Sequence, residues 1–272
     1  MIGNLVYLYL LSPLHTGGAT QEGNLLGIAR ESHTNLPYIP SSTIRGKLRS
    51  ITSEAERNGL WGNTIDDVTG NGGDTNLTQG SLWVGDASIL WLPVPSLSHG
   101  VVWVSSPLLL KRWARLNCKT EKAPESYSNN FAQGKPVYLK DAILKSASLK
   151  STSDLTTWIP QSTVGSIDFA LILPDQHCAT LIQMSLWRQV KVKLDEHKTV
   201  EGGFRYEEAI PPDTLMYFPW GVTSQTIGKA QDSQTKFNQI LTDNAVVQIG
   251  GQESLGRGFV QQWSGVKQEV AV

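Results

Sequence analysis

The sequence predicts an α+β fold, because strand-like runs and helical segments alternate along the chain. Leu5–Leu11 is an uninterrupted apolar run that ends at Ser-Pro, which is typical of a strand buried on both faces. A helix pattern begins at Ser41, two strand-like runs follow it, and Ser106 and Pro107 mark the start of a second helix. This order of strand, helix, strand, strand and helix is that of a ferredoxin-like, or RRM-like, sheet.

The composition excludes several classes of protein. The 272 residues suit a single large domain, and the formal net charge of −1 gives no overall attraction to nucleic acid. Cys118 and Cys178 are too few for a disulfide framework and lack the spacing of a zinc site, so we expect no bound metal. The N-terminus has neither a signal-peptide pattern nor a membrane-spanning length, so we expect a cytoplasmic protein without a membrane partner.

The first helix is predicted from Ser41 to about Asn58, with Gly59 ending it. Either Ser41 or Ser42 would cap its first turn, because a serine hydroxyl accepts a hydrogen bond from an otherwise unpaired backbone N–H. Its buried face is predicted from apolar residues spaced three or four apart, namely Ile44, Leu48, Ile51 and Ala55.

Basic residues are concentrated near this helix. Five Lys or Arg residues lie from Arg30 to Arg57, whereas none lies from Asn58 to Leu110. The first turns of the helix hold three of them, namely Arg45, Lys47 and Arg49. A helix N-terminus carries free amides and a partial positive charge, so these cations predict an anion-binding site. On this segment alone, a surface helix with solvated charges is an equal alternative.

The next elements are predicted as a hairpin and a helix. Gly80–Val94, with a bulge-prone Gly85, and Val101–Ser105 have strand character and are joined by a short turn. In the second helix Ser106 is the expected cap. The apolar face of this helix is predicted from Leu109, Trp113 and Leu116.

Two segments interrupt the pattern and are predicted as insertions. Gly62–Gly80 is polar and without periodicity, which is typical of a long mobile loop. Cys118–Gln161 is mixed in composition and rich in Ser and Lys. Beyond it, Asp168–Leu173 is predicted as a strand and His177–Trp187 as a short helix.

The segment Arg188–Tyr206 predicts a protruding β-hairpin. Apolar and basic residues alternate from Val190 to Leu194, turn residues occupy Asp195–Gly203, and Phe204–Tyr206 would form the return strand. A two-stranded arm is only marginally stable alone, so this one should become ordered against a partner. An ordinary surface hairpin is the alternative.

The C-terminal part predicts a helix, Gln234–Thr242, and then two strands joined by a glycine-rich loop. Glycines let backbone amides approach a phosphate, and Arg257 lies among them. The loop matches neither a Walker loop nor a dinucleotide fingerprint, and a bulged hairpin turn is the alternative. The glycines concerned are Gly250, Gly251, Gly256 and Gly258.

Together these motifs resemble the RAMP superfamily of RNA-binding subunits of CRISPR effector complexes. The resemblance is to the repeated backbone subunit of the type III-B (Cmr) complex in particular. The N-terminal motifs that carry it are a Pro-Leu-His-x-Gly turn at Pro13–Gly17, an Arg-Glu-x-His-Thr run at Arg30–Pro37, and Ile39–Arg49. Gly80–Ala87 matches a strand of that subunit, and Glu201–Leu215 is similar to its thumb and the strand that follows.

The resemblance implies one domain over residues 1–272, with insertions at about 60–80 and 118–162 and a thumb hairpin at about 186–210. It implies that further copies of the chain form a filament on CRISPR RNA and that this RNA pairs with complementary target RNA. It also implies other subunits of a type III complex as partners, acting together in antiviral defence. The expected RNA-binding residues are His33, Arg45, Lys47, Arg49, Lys191, Lys193, Phe204, Tyr206, Gly250, Gly251, Gly256, Arg257 and Gly258.

The resemblance also implies target RNA cleavage by an aspartate in the loop after the first strand. Counting back from His33 places that aspartate at or close to Leu25, and the sequence from Gly23 to Gly27 has no carboxylate. The candidate catalytic residues are therefore Glu22, the nearest carboxylate, with His15 and Glu253. No tightly bound cofactor is expected, and Mg²⁺ or another divalent cation would serve only in RNA cleavage.

Two other functions stay open. A free-standing, metal-independent endoribonuclease of the same superfamily would use His15 as its base, although no second proton donor is visible. A glycan-binding β-rich module is suggested by the Trp, Asn and Gly content, but the basic helix and the lysine-bearing arm argue against it. RNA bound to the purified native protein would exclude the glycan-binding module.

Overall fold

The structure is a computed structural model that describes residues 4–22, 25–65, 77–132, 134–161, 167–224, 228 and 230–265, with only the backbone of 19–22. Within these residues lie a thirteen-stranded sheet and a separate four-stranded sheet. The helices are α1 (Ser41–Ile51), α2 (Glu54–Trp61), α3 (Pro107–Leu116), α4 (Asp175–Ser185) and α5 (Ala230–Asp243). The strands are β1 (Leu5–Leu10), β2 (Gly17–Glu22), β3 (Leu25–Ile28), β4 (Tyr38–Ile39), β5 (Leu82–Val84), β6 (Ala87–Ser96), β7 (Gly100–Ser105), β8 (Ser128–Asn129), β9 (Val137–Leu139), β10 (Ala142–Leu144), β11 (Lys150–Ser151), β12 (Ala170–Ile172), β13 (Trp187–Leu194), β14 (Val200–Ala209), β15 (Leu215–Val222), β16 (Val246–Gln248) and β17 (Phe259–Ser264).

The first strand is buried on both faces, as its apolar run predicts. Its side chains alternate between two core clusters, Val6, Leu8 and Leu10 in one and Leu5, Tyr7 and Tyr9 in the other. β1 pairs antiparallel with β15 and with β17, and β15 pairs antiparallel with β6. The central strand order is therefore β6-β15-β1-β17. Both faces of this sheet are covered, which explains why the strand shows no polar alternation.

The expected hairpin between β6 and β7 is confirmed, but it does not lie beside β1. β7 is on the far side of β6, and both neighbours of β1 come from the C-terminal part of the chain. Sequence order alone cannot show which distant strands pair. The segment expected as an insertion after Cys118 contains β8 to β11 and extends the sheet edge beyond β12.

The predicted first helix is two helices, because the chain turns at Thr52 and Ser53. Thr52 has an extended backbone, its hydroxyl donates to the Leu48 carbonyl at 2.7 Å, and it accepts the indole N–H of Trp61 at 2.9 Å. This turn lets α2 fold back so that Trp61 is buried. Ala55, which was expected in the apolar face, is exposed, and α2 ends beyond Gly59, at Trp61.

The expected serine cap of α1 is wrong. Pro40 holds the N-cap position and no side chain of the capping residue accepts a hydrogen bond there. Instead, the carboxylate of Asp86 accepts the Ser41 backbone N–H at 2.6 Å. The N-terminus of α1 is thus already matched to an anion within the protein, from a residue 45 positions away.

Other sequence expectations are met. Ser106 caps α3 by accepting the Leu109 N–H at 3.4 Å, and Pro107 occupies its first turn. The helices α4 and α5 and the strand β12 are confirmed, but α4 lies two residues earlier than expected, so that Trp187 begins β13, and α5 begins four residues before Gln234. Much of the predicted mobile loop, residues 66–76, lies outside the described residues, while Gly62 pairs with Gln79 at its ends. No helix among the described residues is long and apolar enough to cross a membrane.

Candidate nucleic-acid interface

The hairpin of β13 and β14 exposes an apolar face. Val190 pairs with Tyr206 and Val192 with Phe204, so these four side chains share one side of the hairpin. The two rings contact each other edge to face, with centroids 5.5 Å apart. Each of these residues is between 42% and 49% exposed. This face can therefore meet bases or apolar surface, as the sequence suggested for the two aromatic residues.

The return strand begins earlier than expected. β14 starts at Val200, which pairs with Leu194, and the turn between them is shorter than the sequence suggested. Asp195 stabilises this turn because its carboxylate accepts the backbone N–H groups of His197 and Thr199 at 2.9 and 2.8 Å. The Thr199 hydroxyl also donates to this carboxylate, and this bond first, then the backbone bonds from Thr199 and His197, hold the pKa of Asp195 below its usual value.

The opposite face of the hairpin is charged and centres on Glu207. Its carboxylate is fully buried and lies 2.7 Å from Lys191 Nζ, 3.1 Å from the Arg257 guanidinium and 3.3 Å from that of Arg205. Gln252 also donates to it, at 3.0 Å. Burial acts to raise the pKa of Glu207, but the hydrogen bonds from Lys191 and Gln252 and the nearby positive charges hold the pKa below the ordinary value. The carboxylate is therefore ionised at neutral pH.

Arg257 has a role different from the expected one. Its side chain is only 5% exposed and donates to Glu207, to Gln252 and, at 2.7 Å, to Gln189. The guanidinium also lies 4.3 Å from the ring centroid of Trp187. All of these partners are within the protein, so we reassign Arg257 from a phosphate contact to a structural role.

Glu208 repeats the arrangement on the other side of β14. Its buried carboxylate binds Arg30 at 2.7 Å and Arg188 at 2.9 Å. Gln183 accepts a further hydrogen bond from Arg30. A cleft of about 530 Å³ opens beside these residues, and its lining includes Leu25, Gly27, Asn35, Gln183, Arg188 and Glu208.

The glycine-rich loop packs against the Pro13–Gly17 turn. A side chain at Gly250 would lie 2.4 Å from the His15 carbonyl, and one at Gly258 would lie 2.0 Å from the Ile249 carbonyl. Both glycines also have positive φ, so other residues are excluded on two grounds. The tip of the loop is a 3₁₀ turn, Glu253–Leu255, which is exposed. The backbone N–H groups of Gly251, Gly256 and Gly258 donate to the carbonyls of His15, Glu253 and Pro13, at 3.0, 2.8 and 3.0 Å, and the loop's one cation is buried.

The basic residues of α1 are partly used within the protein. Arg45 donates to the carbonyl of Trp61, and Arg49 donates to the carbonyl of Gly62 and, at 3.1 Å, to Asn58. These contacts satisfy carbonyls at the end of α2 that have no intrahelical partner. The two arginines therefore join α1 to α2, in addition to any role toward RNA.

The remaining predicted contacts lie apart from one another. The His33 side chain is 70% exposed and sits beside the ion pair of Arg112 and Glu31, whose closest atoms are 2.5 Å apart. Lys193 pairs with Glu201 at 2.8 Å near the hairpin end, and both side chains are exposed. Lys193 is thus positioned on the hairpin as expected.

The predicted catalytic residues do not form one constellation. Leu25 lies in β3, opposite the backbone of Glu22 in β2 and beside Tyr206 of β14. The side chain of Glu22 lies outside the described residues. His15 is buried, and its Nδ1 is 2.8 Å from the Glu208 carbonyl, an arrangement that suits a structural histidine better than a general base. Glu253 is exposed at the loop tip, and the described residues hold no group of three His, Cys, Asp or Glu side chains that could bind a metal ion.

Sequence reasoning missed Arg30, Arg188 and Arg205 as members of a basic cluster. Their partners Glu207 and Glu208 are adjacent in β14 and point to opposite faces, which gathers distant cations at the hairpin base. The adjacent glutamates followed by an apolar run were a visible signal of a buried acidic pair, but their partners could not be identified from spacing.

Comparisons with known proteins agree on one family. The model of the RAMP superfamily matches residues 7–261. The CRISPR system Cmr endoribonuclease Cmr4 of Pyrococcus furiosus is 32% identical, and the alignment covers 94% of each chain. The crystal structure of oligomeric Cmr4 from P. furiosus has a TM-score of 0.67 at 25% identity, covering 96% of this chain and 97% of that one. A chain of the type III-B Cmr-beta complex bound to cognate target RNA has a TM-score of 0.72 at 20% identity, covering 96% of both chains, which shows a shared fold.

Proposed function

The chain belongs to the RAMP superfamily, and we propose that it is the CRISPR RNA-binding backbone subunit of a type III-B-like effector complex. Copies of the chain line the guide RNA in the cytoplasm and present it for pairing with target RNA in antiviral defence. Its partners are CRISPR RNA, complementary target RNA, further copies of itself and other subunits of the complex. The similarity to oligomeric Cmr4 over nearly the whole chain supports this assembly.

The observation that carries the proposal is the excess of cations at the hairpin base. Arg30, Arg188, Lys191, Arg205 and Arg257 surround two carboxylates, Glu207 and Glu208, so five positive charges against two negative ones leave an excess of three. The Glu208 part of this cluster lies on the side of the hairpin that carries the exposed apolar face, and the Glu207 part lies on the opposite side. Proteins bind single-stranded RNA with cations that contact its phosphate backbone and with aromatic rings that stack on its bases.

We assign the hairpin, about residues 186–210, as the thumb and the β6-β15-β1-β17 region with α1 and α5 as a ferredoxin-like palm. The assignment is supported by the order β6-β15-β1-β17, in which neighbouring strands are antiparallel. In the chain, α1 follows β1 and α5 precedes β17, as in a ferredoxin-like fold. The segments at about 60–80 and 118–162 are then insertions into a single domain. In the thumb, Phe204 and Tyr206 meet bases, and Lys191 and Lys193 meet the RNA backbone.

Further RNA contacts are proposed outside the thumb. The loop at Gly250, Gly251, Gly256 and Gly258 lets the RNA backbone approach closely at its exposed tip, because glycine has no side chain to block it. The exposed imidazole of His33 and the cations of α1 add further contacts, namely Arg45, Lys47 and Arg49. To these we add Arg188 and Arg205, whose side chains are more than half exposed.

Target cleavage is weak or absent in this chain unless Glu22 supplies the missing carboxylate. The P. furiosus relative is named an endoribonuclease, but position 25 here is a leucine in a strand. A leucine can neither accept the proton of a 2′-hydroxyl nor hold a divalent cation such as Mg²⁺. The chain therefore retains RNA binding without the expected catalytic group.

The test is to purify the native protein and measure its ratio of absorbance at 260 and 280 nm, with extraction of any bound nucleic acid. We expect bound RNA of guide length, released at high salt because phosphate contacts dominate the affinity. Protein free of RNA that also fails to bind added single-stranded RNA would contradict the proposal.

The thumb assignment has its own test. Protease cleavage between His197 and Gly203 should be fast in the RNA-free chain and slow in the assembly, because the exposed hairpin end becomes covered. Equal cleavage rates in both states would reject the assignment. Cleavage within the C-terminal helix α5 serves as the control for general unfolding.

A further inference from the structure

The thumb hairpin and the glycine-rich loop belong to different parts of the fold but share one buried ion network. The hairpin belongs to the four-stranded sheet, whereas the loop connects β16 and β17 of the thirteen-stranded sheet. Glu207 of the hairpin and Arg257 of the loop meet at 3.1 Å, and both are buried. This contact joins the two elements directly.

The network holds both strands of the hairpin. Arg257 donates to Gln189 and lies over the ring of Trp187, both in β13, as well as bonding Glu207 in β14. Gln252 bonds both Arg257 and Glu207, so the loop contributes two side chains. The position and the angle of the hairpin are thereby set by contacts from the loop.

Stability alone does not account for a charged group at this position. Burying an ion pair costs desolvation that its attraction often fails to recover, and an apolar pair of equal size is frequently as stable. Glu207 Oε1 is buried without a hydrogen-bond donor among the described residues and has only the guanidinium of Arg205 at 3.3 Å. Such an arrangement favours a role in orientation, since charged pairs accept only a few geometries.

We propose that Glu207 is a positioning residue that fixes the thumb hairpin relative to the glycine-rich loop, so that one RNA strand meets both as a single surface. The expected effect on RNA affinity rests on the proposed function. The coupling between hairpin and loop can be measured without RNA.

The test compares Glu207→Gln with Glu201→Gln. Both substitutions remove one negative charge from β14, but Glu201 is exposed and pairs only with Lys193 among the described residues. If only the removal of a negative charge mattered, both variants would bind single-stranded RNA more tightly than wild type. Positioning predicts the opposite for Glu207→Gln, an affinity about tenfold weaker, which is an ordinary strength for coupling between two sites. The control should bind as well as wild type or slightly better.

A second measurement follows amide hydrogen exchange in the loop, residues 250–258, in the RNA-free proteins. Glu207→Gln should speed exchange there, although the substitution is in the hairpin, and Glu201→Gln should not. If Glu207→Gln does not fold, Gln252→Asn replaces it, because asparagine keeps the left-handed backbone of Gln252 but is too short to reach Glu207. Its RNA affinity should fall by about threefold.

The inference is overturned if Glu207→Gln binds RNA as tightly as Glu201→Gln and loop exchange is unchanged. It is also overturned if Gln252→Asn leaves both measurements at their wild-type values. If wild type binds no RNA while Glu207→Gln still speeds loop exchange, the proposed function fails and the coupling stands. A double variant with Arg257→Gln should bind RNA no more weakly than the weaker single variant, because both act through one contact.

Discussion

Helix α1 and the base of the thumb hairpin both hold several cations but present them differently. In α1, two of the three cations, Arg45 and Arg49, donate to carbonyls at the end of α2. At the hairpin base five cations surround two buried carboxylates, which leaves an excess of three positive charges. There, Arg188 and Arg205 keep more than half of their side chains exposed.

The difference shows that the number of basic residues in a segment does not measure its capacity to bind a polyanion. A guanidinium that satisfies a helix end must leave that carbonyl unpaired before it can turn to a phosphate, at a cost of about 1–3 kcal/mol. A guanidinium held by a carboxylate on one side already points its other donors in a fixed direction. We therefore expect the hairpin base to dominate RNA affinity and α1 to contribute partly through stability.

The largest expected effect is on the rate of target RNA cleavage and concerns Leu25, which lies beside Tyr206 at the hairpin base. Complexes assembled with complementary RNA and Mg²⁺ should cut poorly with the wild-type chain, and Leu25→Asp should increase the cleavage rate by about a hundredfold, the usual value of general base help. Gel analysis of end-labelled target RNA measures it.

The matched control is Leu26→Asp, which puts a carboxylate on the opposite face of the same strand and should give no cleavage. Efficient cutting by the wild-type chain that survives Glu22→Ala would show that the catalytic site lies elsewhere.

The next effect tests the hairpin base directly. Replacing Arg188, Lys191 and Arg205 together by glutamine should weaken single-stranded RNA binding by about a hundredfold, since three charge-assisted contacts of about 1 kcal/mol each are lost. The slope of log affinity against log salt should fall by about two, at roughly 0.7 for each phosphate contact. Titrations by fluorescence anisotropy at several salt concentrations measure both quantities. An unchanged slope would show that these cations do not touch phosphate.

A smaller effect is expected at α1, where two substitutions separate stability from affinity. Arg49→Gln should lower the free energy of unfolding by about 1–2 kcal/mol, because the Gly62 carbonyl loses its donor. Lys47→Gln should leave stability unchanged. Each should reduce RNA affinity by about threefold, through one phosphate contact. Urea unfolding and anisotropy titration measure the two quantities, and a hundredfold loss of affinity for Lys47→Gln would reverse the ranking of the two regions.

The smallest effect concerns pH. The carboxyl of Glu207 has a pKa below its ordinary value of 4.5 in the folded chain, so it stabilises the fold above that pH. This stabilisation is lost as pH falls through the folded-state pKa, since protonation removes the charge that the three cations surround. Wild type should therefore lose stability below pH 4.5 more steeply than Glu207→Gln, measured by urea unfolding at several pH values. Parallel curves would show that Glu207 does not contribute to the acid sensitivity.

Much of the local structure follows from the sequence, because neighbouring residues determine it. The apolar run of β1 predicts a strand covered on both faces, and Ser106 with Pro107 predicts the start of α3. The alternation from Val190 to Leu194 predicts a hairpin strand with one apolar face. Each of these features depends on contacts within a few residues or on a simple period. For the same reason the motifs that carry the family resemblance were recognisable without coordinates.

The tertiary structure alone decided which distant groups meet. The neighbours of β1 are β15 and β17, Asp86 replaces the expected serine at the start of α1, and Arg257 turns inward to Glu207. These contacts join residues separated by 45 to more than 200 positions, and no local preference encodes such pairings. Sequence determines which groups need a partner, since buried charges and helix ends must be satisfied. Which partner arrives depends on how the sheets stack, and that decides whether an arginine binds RNA or holds the protein together.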